Sequence, residues 1–322
     1  MTCCRLHSPT KWELHELAKP IASLPLWTNA QAEQTIEPPR PLASSQATDE
    51  VPYITGDGHK NERIQGPGTE DMNAPTRLYP TFPPGLWRRI VLQPGPGWIG
   101  GALEDDMHRF HIRLDHEDRR ITGVAAKAVR HPWSACPGAT NFIAKELTGE
   151  LLEDVARRDP FQHCTHLFDL ALLASAHAGD SASTRFDMYV ADRIEGRTTA
   201  TLYENGEEKL RWQLDGTAIA GSERDLRQLS KWKRDLPARE AEWATLLRRA
   251  VFVSGARQYV PPPGGETAAE NTGRMGVCFN YQLPQAETST RTPKWHRDFS
   301  TSGREPLEGL DPAEEFRAMA SL

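Results

Sequence analysis

The sequence has no long apolar run. The best stretch in its 322 residues, Leu167 to Ala178, is interrupted by Asp169, Ser175 and His177, and falls short of the roughly 20 apolar residues a bilayer-crossing helix needs. No membrane span is expected. The N-terminus lacks a basic segment followed by an apolar core and a small-residue cleavage site, so export is not indicated. Positive charge is not in excess: 38 Lys and Arg stand against 44 Asp and Glu, a formal net charge of -6, which argues against a broad nucleic-acid-binding surface. Cysteine is scarce and odd in number: the five residues Cys3, Cys4, Cys136, Cys164 and Cys278 form no repeated C-x-x-C. That excludes a disulfide framework and fits a reducing cytoplasm. Apolar residues make up 38% of the chain, low for a core that spans all of it.

What is present begins late. Residues 1–76 are rich in Pro, Ser, Thr, Gln and Glu without helical or strand periodicity, and read as a disordered segment. From Tyr79 the texture changes. Arg88-Arg89 before Ile90-Val91-Leu92 reads as a strand, followed by a loop at the PGPG run. Phe110, Ile112 and Leu114 alternate with Arg109, His111 and Arg113, then a turn near His116 to Asp118 leads to Ile121 and Val124, which suits an antiparallel pair. Cys136-Pro137-Gly138 opens a helix with Phe142, Ile143 and Leu147 buried and Gly149 as its stop. ELLEDVARR makes a second short helix. From Cys164, apolar residues cover almost the full circumference of a third, which should be central. Residues 184–262 read as a β-hairpin, with Asn205-Gly206 at its turn, plus a helix broken at Pro237. Residues 263–322 read as a mostly disordered tail in which only GVCFNYQL docks.

The stretch from His131 to His166 carries the chemistry. Cys136 and His163-Cys164 each stand at a helix start, where unsatisfied N-H groups and the helix dipole favour a thiolate. The competing reading makes both thiols small buried hydrophobes and both histidines backbone-satisfied. His108, His111 and His116 cannot converge, because His108 and His111 fall on opposite faces of a strand; they read as sheet surface. Glu104-Asp105-Asp106 reads alone as a turn-forming loop. Arg130, His131 and Trp133 flank Cys136 and are candidates for binding an anionic or aromatic substrate, although a Trp at a strand end is more often core.

The order of strand pair, Cys at a helix start, GELLEDV, and His-Cys before a buried helix resembles the NifU/IscU/SufU family of iron-sulfur scaffold and sulfur-transfer proteins. The matching residues are Cys136, Leu147 to Val155, and His163-Cys164, over about 80 residues from Ala102 to Ala178. The resemblance implies an α+β fold, an antiparallel sheet with helices packed on one face, over residues 77–183, here extended by the hairpin and helix of 184–262. The family's first cysteine has no counterpart in GALEDDMHRF; Asp106 lies near the place of that segment's aspartate. The chain as a whole also resembles an uncharacterised bacterial family through its GALEDD, PWSACPGA and CTHL segments, which implies no activity.

On that resemblance the implied metal ligands are Asp106, Cys136, His163 and Cys164. A carboxylate, an imidazole and two thiolates suit Zn(II), with iron or an iron-sulfur cluster as the alternative. His166 lies near enough in sequence to replace a ligand or move a proton, with Asp169 available to hold it. The expected function is a metal-thiolate enzyme acting on a small molecule, a lyase or hydrolase in which the metal polarises a carbonyl or activates water and His166 or His163 handles the proton, with Cys136 in the reacting centre. The unit after Arg185 would cover the pocket. A scaffold or sulfur-transfer protein and a non-catalytic binding module are the alternatives. Nothing in the sequence sets an oligomeric state.

Overall fold

A computed structural model describes residues 83–259 and 265–320; the segment 1–76 lies outside the described residues. Eight strands form one antiparallel sheet in the spatial order β4-β3-β2-β1-β5-β6-β7-β8. They are β1 (Gly85–Gly95), β2 (Trp98–Glu104), β3 (Arg109–Glu117), β4 (Arg120–Arg130), β5 (Thr184–Ala191), β6 (Arg197–Glu204), β7 (Glu207–Asp215) and β8 (Ala218–Ile219). The helices are α1 (Gly138–Leu147), α2 (Thr165–Ala176), the single turn α3 (Leu229–Trp232), α4 (Ala238–Ser254), the single turn α5 (Gln285–Thr288) and α6 (Pro312–Met319). The fold is α+β.

Local chemistry explains the meander. The β6–β7 hairpin closes on Asn205 and Gly206, both at positive φ (51° and 89°), the backbone twist that matches a right-handed strand pair. The β3–β4 hairpin uses the same twist with Asp118 and Arg119 at φ 46° and 64°. The PGPG run is tighter than the loop expected of it. Pro94 and Gly95 stay in β1, pairing with Ile99 and Trp98, and Pro96-Gly97 alone makes the turn. The strand expected at Arg88 to Leu92 is β1, and the strand that was not expected is β2, which pairs with it ahead of the Phe110 strand. Residues 152–157, expected as a short helix, form a 3-10 helix.

Alternation sorts the strands into two faces. Leu86, Ile90 and Leu92 of β1, Ile99 and Leu103 of β2, Phe110, Ile112 and Leu114 of β3, and Phe186, Met188 and Val190 of β5 point to one side. There they meet α1, α2 and α4. Leu167, Phe168, Leu170, Ala171 and Ala174 of α2 are each 0% exposed, so this helix is central, as apolar residues over almost its full circumference predict.

The opposite face corrects two expectations. Residues 265–320 do not form a loose tail, and helices are not confined to one side. The chain runs back across the second face, burying Phe299 against Trp87, Tyr189 and Tyr203 and Leu307, Phe316 and Met319 against Ala102. Phe316 of α6 sits over Gly100, where an added Cβ would fall 2.1 Å from its ring. Arg113 Nη1 donates to the Phe316 carbonyl at 2.6 Å, and His111 and Lys127 both reach the Glu315 carboxylate. The second face of β2 and β3 offers glycine, alanine and long charged side chains, so a polar segment with widely spaced apolar anchors covers it. Such a segment has no periodicity to read.

Candidate functional site

Two chain segments meet at the start of α2. The first is the turn from β2 to β3. Asp105 Oδ1 accepts from the backbone N-H groups of Met107 and His108, each at 2.9 Å, an Asx-type turn that fixes residues 105–108. The same oxygen lies 2.9 Å from His108 Nδ1. Its partner Oδ2 accepts from Arg88 Nη1 at 2.6 Å, and both Arg88 and Asp105 are almost completely buried. The second segment is the first turn of α2, which brings the His166 ring to a stack on His108, centroids 3.7 Å apart. Ligating atoms of Asp105, His108 and His166 all lie within 4.8 Å of one another, the one such group of three or more His, Cys, Asp or Glu among the described residues.

The electrostatics of the group follow from burial and neighbours. Desolvation alone would raise the Asp105 pKa, but His108 and Arg88 outweigh it and hold the carboxylate far below its usual range. Burial pushes His166 well down, with His108 and Arg88 acting in the same direction. Its Nε2 is buried and has no hydrogen-bond partner. A buried imidazole nitrogen without a partner is costly unless something else approaches it.

The four ligands implied by the scaffold resemblance are not gathered into such a group. Asp106 is 0% exposed and its carboxylate forms an ion pair with Arg257. Its carbonyl accepts from Arg130 Nη1 and from the Arg297 N-H. Cys164 is the N-cap of α2 and Cys136 immediately precedes Pro137, the N-cap of α1, so the helix-start placement is as expected. The consequence is not: desolvation dominates over the helix ends, pushing Cys164 up to about 12 and Cys136 well up, the latter with help from neighbouring Cys164 and Cys278. Both are held as neutral thiols. His163 is buried between Phe142 and Phe168, its pKa lowered by burial.

Other candidates disperse. Asp169, expected to hold His166, instead receives Arg249 at 2.7 and 3.2 Å. Trp133 is core, with the Arg291 guanidinium 4.0 Å from its ring centroid. Arg130 and His131 do line a cleft of about 310 Å³ with Glu104, Arg109, Lys294 and Arg297. Asp105, His108 and His166 are not among its lining residues; the turn backbone separates the two places, and Arg130 spans it by donating to the carbonyls of Asp105 and Asp106. His111 turns to the opposite face and pairs with Glu315 at 2.9 Å, so the three strand histidines do not converge. His108 is nevertheless not a surface residue, and the turn expected at Glu104-Asp105-Asp106 is present but buried: all three acids are at most 1% exposed. The signal that could have found them was the D-x-x-H spacing inside a tight turn, where an Asx turn brings the aspartate back to the histidine.

No family model matches the chain, and no curated protein matches it significantly.

Proposed function

We propose that Asp105, His108 and His166 bind one divalent transition-metal ion, and that the protein is a metal-dependent enzyme of the hydrolase or lyase type acting on a small molecule. The observation that carries this reading is the convergence of two imidazoles and one carboxylate from separate chain segments within 4.8 Å, with His166 Nε2 buried and unpartnered. Two nitrogens and one oxygen suit zinc or iron(II) and leave further coordination positions open. An ion there would polarise a carbonyl or lower the pKa of bound water. The buried Arg88 hydrogen bond orients the carboxylate from behind. Stacked rings cannot both point a nitrogen at one ion, so binding requires the two histidines to tilt apart. Metal analysis of the full chain tests the reading. One ion per chain is expected, lost in His108→Ala and His166→Ala and kept in Cys136→Ser/Cys164→Ser. An ion that survives loss of the histidines and leaves with the thiols contradicts it.

A second, non-catalytic reading is favoured by a specific observation. Asp105 already accepts from Met107, His108 and Arg88, so its carboxylate is satisfied with no ion. The network would then serve only to pin the β2–β3 turn against α2. Under it, no preparation carries stoichiometric metal, and His166→Ala changes stability alone.

A further inference from the structure

We propose that the cleft beside this turn is a binding site for a small molecule carrying a phosphate or carboxylate group. Four cations line it, Arg109, Arg130, Lys294 and Arg297, against one carboxylate, Glu104. Glu104 is 1% exposed and already engaged. Its Oε2 accepts the Leu307 N-H at 2.7 Å and lies 3.6 Å from Arg109, while Oε1 faces Arg130 at 3.1 Å and Arg297 at 3.4 Å. One buried carboxylate therefore neutralises one of the three guanidiniums around it, and donors remain. Arg130 Nε is buried with no partner. Arg297 gives Glu104 a single Nη1 contact, and Lys294 is exposed with no ion pair among the described residues.

This concentration of positive charge stands out on a chain of net charge -6. A concave cationic site focuses field and draws small anions, and guanidinium forks match the planar or tetrahedral oxygens of carboxylate and phosphate. The volume of about 310 Å³ admits an oxyanion on a short carbon body. A second cationic recess, at Arg227, Lys233, Arg248 and Arg249, has only about 30 Å³, room for a water molecule rather than a ligand. Read as the substrate class of the enzyme, the assignment rests on the metal-site proposal; read as a binding site, it does not.

Calorimetric titration of the full chain with inorganic phosphate, and separately with succinate, tests it at low ionic strength. Saturable binding of one ion per chain is expected, with the tighter of the two probes identifying the group recognised. Lys294→Gln should weaken that binding about tenfold and Lys294→Gln/Arg297→Gln about a hundredfold, each tenfold step being about 1.4 kcal/mol. Circular dichroism confirms that these exposed and half-exposed substitutions leave the fold intact. His166→Ala, which removes the proposed metal ligand, should keep the anion affinity. Anion binding lost in His166→Ala, unchanged in the double cation variant, or absent from the wild-type chain overturns the assignment.

Discussion

The start of α2 faces two different surroundings. On one side His163 and Cys164 enter an apolar pocket with Cys136, Phe142 and Phe168; on the other, His166 meets Asp105, His108 and Arg88. Both sides belong to a four-residue stretch, His163 to His166, and both are buried or half-buried. One holds neutral thiols and an imidazole pressed between phenyl rings. The other holds an ionised carboxylate between a guanidinium and an imidazole. The difference teaches that a helix end sets chemistry only where desolvation leaves room for it: the same N-terminus that should favour a Cys164 thiolate loses to burial. Two residues on, at His166, neighbouring fixed charges instead keep the Asp105 carboxylate ionised.

The largest expected effect of breaking this contrast lies on the charged side. Asp105→Ala leaves Arg88 as an uncompensated buried cation and should cost about 3–5 kcal/mol, whereas Cys164→Ala, which removes a small buried group, should cost about 1 kcal/mol. Urea denaturation measures both. Equal costs would mean that the two sides are not different environments.

Much of the framework was legible. Phe110-Ile112-Leu114 announced a strand by alternation, Asn205-Gly206 a hairpin by its demand for positive φ, and Leu167 to Ala176 a central helix by being apolar over almost its full circumference. Cys136 and Cys164 were correctly placed at helix starts. What could not be read was pairing across distance. Arg257, in the 3-10 turn that follows α4, reaches Asp106, and Arg249 of α4 reaches Asp169 from 80 residues further on, so the acids that looked available for metal or for His166 were already paired with distant arginines. His108 was assigned to the sheet surface because strand alternation was applied to a residue that sits in a turn. The docking of Phe299 and Phe316 went unseen because single aromatic anchors in a polar segment carry no period.

Thiol chemistry sharpens the comparison next. Cys136 and Cys164, buried and held as thiols, should react with a disulfide reagent in the native protein many times more slowly than in denaturant. Rapid native-state labelling of either would restore an activated-thiolate reading, and with it the sulfur-transfer alternative.

The smallest effect is at the other end of α2. His177, its C-cap, lies 2.6 Å from Asp180 and 3.2 Å from Glu242. Burial alone would lower its pKa, but these two carboxylates raise it above the ordinary imidazole value. A folded pKa above the unfolded one contributes stability that is fully present below the unfolded pKa and is lost as pH rises through the folded pKa. The melting temperature should therefore decline modestly as pH climbs from the ordinary imidazole range upward, and His177→Asn should flatten that part of the profile. A wild-type profile already flat there removes His177 from the account.

Cobalt(II) substitution of the full chain tests the central claim most directly, since its visible and near-ultraviolet spectrum reports both geometry and the presence of sulfur. The account predicts one cobalt per chain with ligand-field bands, no thiolate-to-metal charge-transfer absorption, and loss of the spectrum in His166→Ala but not in Cys136→Ser/Cys164→Ser. A strong charge-transfer band that disappears with the cysteines and survives His166→Ala would contradict it.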